Sequence, residues 1–143
     1  MLTENQVIAA VTQFLVGKGY AIERVSTTLQ HGDDIIACHI ASGIRLYVEA
    51  KGETSAQATS ARHDQPFNRN QVLSHVSRAF YRAAAMQQQG APGALRRVGI
   101  ALPDNALHKQ RVVAIQAALD RLQIAIFWVN AAQKVTVTPA EFV

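Results

Sequence analysis

His31-Gly32-Asp33-Asp34-Ile35-Ile36 and Tyr47-Val48-Glu49-Ala50-Lys51-Gly52 are the two stretches on which the reading of this chain turns. Ile35 to Ala41 and Ile44 to Ala50 read as strands, and Ser42-Gly43 between them has the form of a tight hairpin turn. Side chains alternate along a strand, so Glu49 and Lys51 share one face, with Tyr47 and Arg45 behind them. A two-residue turn at Ser42-Gly43 sets Asp34 opposite Lys51 and Ile36 opposite Glu49. Directly opposed residues lie on the same face, so Asp34, Glu49 and Lys51 converge while Asp33 points away. The Asp34–Glu49 diagonal is then about 7–8 Å at the backbone, close enough for two carboxylates to close on one cation. A bulge or a longer turn would exchange the roles of Asp33 and Asp34.

The flanking sequence builds a layered frame around this hairpin. Thr3-Glu4-Asn5-Gln6 is a capping box, and Val7, Ile8, Val11, Phe14 and Leu15 follow at helical spacing until Gly17 and Gly19 stop the pattern. Tyr20 to Val25 is a first strand. After the hairpin, residues 52–69 form a long polar loop, the kind that in compact domains is functional or mobile. A helix then runs from about Asn70 to Gln89, with Val72, Val76, Ala79, Phe80 and Ala83 on its inner stripe, and Gly90-Ala91-Pro92-Gly93 ends it. Val98 to Leu102 is a short buried strand closed by Pro103. Asp104 or Asn105 caps a further helix with the stripe Val112, Ile115, Leu119 and Leu122. Ile124 to Val129 is continuously apolar, as expected of an inner strand covered on both faces, and Phe127 and Trp128 within it are core residues. Val135-Thr136-Val137-Thr138 is a candidate edge strand. The order is helix, three strands, helix, strand, helix, strand, which predicts a single α/β domain over residues 1–143 with a mixed sheet of about five strands.

The 143 residues suit one domain, and 49% hydrophobic with 17% charged residues excludes a disordered polyelectrolyte. One cysteine, Cys38, excludes an internal disulfide framework and a multi-cysteine zinc site; its place on a strand makes it a packing residue. No apolar run reaches the roughly 18 residues of a membrane helix, and Met1 to Gln6 has neither the basic start nor the apolar block of a secretory signal. A cytoplasmic protein that makes no use of a membrane is the expectation. The net charge is +4, and ten of the fourteen basic residues are arginine. Between Lys51 and Arg97 seven basic residues face only Glu53 and Asp64. Concentrated arginine suits phosphate oxygens and a polyanionic partner, although on charge alone a solvated basic surface is the better explanation.

Two carboxylates and an ammonium on one sheet face oppose folding unless they pair or bind something, since an unpaired buried charge costs several kcal/mol. A cross-strand Lys51–Asp34 salt bridge is the plainer explanation, worth about 0–1 kcal/mol if exposed. The functional explanation is a hard cation. Oxygen ligands from Asp34 and Glu49 suit magnesium, with manganese as a substitute, and magnesium commonly takes one or two carboxylates plus a substrate phosphate. Lys51 would orient or deprotonate a bound water and offset charge building on the phosphate. No Ser-His-Asp or Cys-His arrangement competes, and the loop residues His31 and His63 have no spaced partner that suggests zinc.

With Asp34-Ile35 opening one strand and Val48-Glu49-Ala50-Lys51-Gly52 closing the next, between a first helix and a later helix-strand pair, the chain resembles the PD-(D/E)xK nuclease superfamily. That resemblance implies a restriction-endonuclease-like fold, Asp34 and Glu49 as metal ligands, the Ala50 main-chain carbonyl as a further ligand, and Lys51 as catalytic lysine. Gly32-Asp33 stands where the family often has proline before the aspartate. Some branches place a glutamate on the first helix, where this chain has Glu4. Another carries Gln-x-x-x-Tyr on the helix after the lysine strand, and that spacing gives Gln71 and His75 here. Gln71, His75, Arg78 and Arg82 form a polar and basic stripe on that helix, either a phosphate-contacting face or an ordinary solvent face. Gln71 is the stripe's best candidate for a catalytic role, because it begins the helix where backbone donors favour anions, and Arg69 enters the same turn.

The expected function is a magnesium-dependent nuclease hydrolysing phosphodiester bonds in DNA, RNA not being excluded. The alternatives are a catalytically inactive nucleic-acid-binding or protein-assembly module on the same fold, or an adaptor for an acidic protein. The core fold uses nearly every residue and leaves no separate recognition domain. Cutting both strands of a duplex needs two sites, which points to a homodimer.

Overall fold

Thr3 opens the first helix, α1 (Glu4–Gly17), through a reciprocal box: Thr3 Oγ1 accepts from the Gln6 N–H, and Gln6 Oε1 accepts from the Thr3 N–H. The protein is seen in a computed structural model that describes residues 1–26, 33–55, 65–90 and 95–143. Three antiparallel strands follow α1: β1 (Tyr20–Val25), β2 (Ile35–His39) and β3 (Arg45–Ala50). After α2 (Arg69–Gln88), β4 (Arg96–Pro103) lies parallel to β3. Helices α3 (Ala106–Val113) and α4 (Gln116–Leu122) then lead to β5 (Ile124–Val129), parallel to β4, and β6 (Val135–Thr138) closes the sheet antiparallel to β5. The result is an open, mixed α/β sheet of six strands in the order β1-β2-β3-β4-β5-β6, flanked by four helices.

Two details of the element list differ from the sequence reading. The sheet has six strands rather than about five, because Val135 to Thr138 pairs along β5 from Val129 to Ile126. The expected single helix after β4 is two, broken at Ile115, whose φ of −122° and ψ of 14° are not helical. Val112 and Leu119 still pack into one core across the break, with Ile115 against it, so the apolar period runs on although the backbone does not.

Strand alternation divides the core in two. Leu46, Val48 and Ala50 of β3, with Ala125, Phe127 and Val129 of β5, face α1 and meet Val7, Val11 and Leu15. Ile100 and Leu102 of β4, with Ile124, Ile126 and Trp128 of β5, face the other way, against Val72, Val76 and Ala79 of α2 and Leu119 of α4. Phe127 is wholly buried and Trp128 nearly so, as expected of an inner strand.

The β2–β3 hairpin carries a correction that matters for the site. Its turn is four residues, Ile40 to Gly43, closed by His39 N–H to the Ile44 carbonyl and Gly43 N–H to the His39 carbonyl, both at 2.8 Å. Gly43 adopts φ 74°, the left-handed conformation that suits glycine. The His39 ring holds the turn against Ser42, with Nδ1 2.9 Å from Oγ. Ile35 therefore pairs with Val48 and Ile36 with Tyr47, a frame two positions from the one expected. An even shift preserves parity: continued one residue beyond Ile35 and Val48, this register sets Asp34 on the Glu49 face and level with Glu49 rather than Lys51.

His31, Gly32, His63, residues 56–64 of the polar loop and Ala91 to Gly93 lie outside the described residues. Among the described residues no helix is long and apolar enough to cross a membrane.

Candidate active site

The α2-facing side of β3 ends in Glu49 and Lys51. Glu49 is 1% exposed, an unusual depth for a carboxylate, and is held by charge on both oxygens. Lys51 Nζ lies 3.3 Å from Oε1, and Arg82 Nε, reaching down from α2, lies 3.4 Å from Oε2. Oε2 is nevertheless buried without a hydrogen-bond partner. Across the strand pair, Asp34 is 7% exposed, and its Oδ2 accepts the Ala50 N–H at 2.7 Å. An extended residue turns its N–H and C=O to the same side, so the Ala50 carbonyl also faces the Asp34 edge.

A third carboxylate reaches this region from α1. A Cβ on Gly52 would sit 2.4 Å from the Glu4 nitrogen and 2.7 Å from the Thr3 carbonyl carbon, so only glycine lets the chain leaving β3 pass the start of the helix. The contact is sealed by Glu53 N–H to the Leu2 carbonyl at 2.8 Å and Leu2 N–H to Glu53 Oε1 at 3.1 Å. Glu4 thereby enters the electrostatic field of Asp34, Lys51 and Arg82.

All three acids titrate above their ordinary range. Burial pushes Glu49 up to about 7, with the Asp34 charge adding to the effect and Lys51 and Arg82 opposing it. Burial likewise raises Asp34, against the Ala50 N–H, Lys51 and Arg82, and raises Glu4 against Lys51 and Arg82. Three acids beside two cations leave an excess of negative charge, and divalent metal would relieve it. Among the described residues no three His, Cys, Asp or Glu side chains are gathered to hold a metal by themselves. An ion here would take the two carboxylates Asp34 and Glu49, the Ala50 carbonyl, and water or substrate oxygen. That all-oxygen donor set, with one oxygen of Glu49 lacking a hydrogen bond, fits magnesium or manganese.

The α2 residues divide by role. Gln71 Oε1 accepts the Asn68 N–H at 2.9 Å while Asn68 Oδ1 accepts the Gln71 N–H at 2.9 Å, so the Gln71 carbonyl is engaged in capping the helix. Arg69 is exposed in the first turn. His75 stacks edge-on to Phe67 at 4.6 Å, and its Nδ1 is buried without a hydrogen bond. Burial lowers the His75 pKa, and the charges of Lys51 and Arg78 lower it further. Arg78 and Arg82 line a groove with Lys51. Cys38 lies on the same face of β2 as Asp34, partly buried at the opposite end of the strand.

Sequence spacing gave no hint of the brace behind the site. Glu53 Oε2 accepts from Asn105 Nδ2 at 2.8 Å, and Asn105 Oδ1 caps α3 and lies 2.8 Å from Nδ1 of the fully buried His108. Partners 52 positions apart leave no local pattern. The Arg82–Glu49 pair was equally hidden, since it depends on how α2 crosses β3.

Comparison with known proteins adds the fold alone. No family model and no curated protein matches the chain. A crystal structure of an FdxN element excision controlling factor protein from Anabaena variabilis is similar over 92% of this chain and 95% of that one, with 13% identity and a TM-score of 0.50. The two share an α/β architecture.

Proposed function

We propose that the protein is a metal-dependent nuclease of the restriction-endonuclease-like class, hydrolysing phosphodiester bonds in DNA. The observation that carries this reading is Asp34, just before β2, beside Glu49 of the neighbouring β3: both are buried, both have raised pKa values, and Lys51 lies 3.3 Å from Glu49. Asp34, Glu49 and the Ala50 carbonyl would hold the ion. Magnesium bound there supplies a Lewis acid for the phosphate and lowers the pKa of a bound water. Asp34 keeps its orientation through the Ala50 N–H, which Oδ2 accepts. Lys51 at Nζ positions the attacking water and offsets charge developing on the phosphate. Arg82 neutralises the outer side of Glu49, and Arg69, His75, Arg78 and Arg82 provide the face along which a DNA backbone runs. The similar excision controlling factor shares the α/β architecture and is carried no further. A homodimer would supply the second site that duplex cutting needs.

One observation favours a second reading, an inactive nucleic-acid-binding module: both Glu49 oxygens already face a cation, as in a structural ion pair. The two separate cleanly. Purified protein should nick plasmid DNA with Mg2+ or Mn2+ and stop in EDTA. Glu49→Gln and Lys51→Ala, shown folded by circular dichroism, should lose about 10²–10⁴-fold in rate. Equal cutting by wild type and variants marks a contaminant and removes the nuclease reading.

A further inference from the structure

The groove that begins at Lys51 is walled on α2 by Ser77, Arg78, Tyr81 and Arg82 and has a volume of about 450 Å³. These four lie at i, i+1, i+4 and i+5, a single helix flank adjoining the one that Val72, Val76, Ala79 and Ala83 bury. Tyr81 stands out on it. The side chain is 75% exposed, and among the described residues no partner stacks on its ring. Single exposed aromatics are ordinary on any protein. This one lines the groove together with Arg78, Arg82 and Lys51, the last two of which also pair with Glu49, so an aromatic face stands in a cationic groove. Cations neutralise phosphates, and a bare ring offers a surface for a flat heterocycle.

We infer that Tyr81 is a stacking platform for an unpaired nucleobase, so that the groove selects single-stranded or splayed nucleic acid over continuous duplex. This rests on the reading of the Lys51 groove as a nucleic-acid site and names the substrate class it prefers. In a duplex every base face is covered by its neighbours, so a ring projecting from a helix flank has nothing to stack on. An unpaired base has a free face, and stacking on an aromatic side chain tolerates any sequence. With a base on Tyr81, the adjoining phosphates would meet the cations that line the groove with it, Arg78 foremost. The platform thus lies beside the very lysine assigned to the reaction. Strand ends, flaps and junction branches supply such bases.

The test is fluorescence anisotropy in EDTA at fixed salt, so that no cleavage intervenes, with one labelled oligonucleotide presented single-stranded and as duplex. Tyr81→Ala should weaken single-strand binding by about 5- to 100-fold and duplex binding far less. Tyr81→Phe and Tyr81→Trp should keep the single-strand affinity, since each retains an aromatic face. Equal losses on both substrates, no loss on either, or a glutamate-rich peptide that binds more tightly than the oligonucleotide through the same ring would overturn the proposal. Cleavage activity combined with Tyr81-independent binding removes the platform and leaves the nuclease. Tyr81-dependent single-strand binding without cleavage under any divalent ion supports the platform and removes the nuclease.

Discussion

Replacing Gly52 by alanine puts a methyl group where the start of α1 already stands. The added carbon would lie 2.4 Å from the Glu4 nitrogen, 2.7 Å from the Thr3 carbonyl carbon and 3.0 Å from the Leu2 oxygen. All three are backbone atoms, so no side chain can rotate away; the helix terminus or the residues after β3 must move by about 1 Å to restore ordinary contact. Overpacking of this kind costs about 1–3 kcal/mol. With an unfolding entropy near 2.1 cal/mol/K per residue, a chain of this length loses about 3–10 °C in Tm. Gly17 is the matched control. It sits in α1 without a positive φ, and a Cβ added there would meet nothing within 4 Å, so Gly17→Ala should raise stability by about 0.4–1 kcal/mol. Calorimetry of the two single variants gives opposite signs if the reasoning holds. A Gly52→Ala protein melting within about 1 °C of wild type, or two shifts of the same sign, refutes the close approach of Gly52 to α1 on which the placement of Glu4 depends.

Two further outcomes follow from the site and its brace. His108 is fully buried, and its pKa falls to about 4, chiefly through burial, with Glu53 opposing and His75 adding. The native state refuses a proton that the unfolded chain accepts below about pH 6.5. Stability is therefore complete above that pH and falls by about 3 kcal/mol as the pH drops to 4. Denaturant titrations should show a shallower decline in His108→Gln; an identical slope argues against the assignment. Manganese at about 100 times its Kd should stabilise the wild type by about 2.7 kcal/mol. Asp34→Asn keeps an oxygen for the Ala50 N–H but removes the charge, so its Tm should ignore manganese; a retained shift means the ion binds elsewhere.

What could be read from sequence followed the range of the interactions. Thr3 and Gln6 cap within one turn, and the limits of β1 and β5 are marked by composition alone, so these elements fell where expected. Apolar Ile40 and Ala41 extend the strand pattern, yet Ile40 is 74% exposed in the hairpin turn. The face of Asp34 survived that error because strand parity depends only on whether a shift is odd or even. Ile115 kept its place in the helical stripe while its backbone left the helix, a change that periodicity does not record. The pairing of Glu49 with Arg82, and the chain of contacts from Glu53 through Asn105 to His108, arise from packing between distant segments. Gln71 stands at a helix start, where backbone donors favour anions; the same position also makes it the reciprocal cap of Asn68, since N-terminal donors attract a local carbonyl as readily as a ligand.

The strands sit side by side in the order in which they occur along the chain, which has a consequence for biosynthesis. Each new strand emerging from the ribosome finds its partner already waiting as the last one laid down, so the sheet can grow vectorially without threading a later segment between earlier ones. Asp34, Glu49 and Lys51 would be brought together by the first three strands, and α2 would then lower Arg82 onto an acidic pair that already exists.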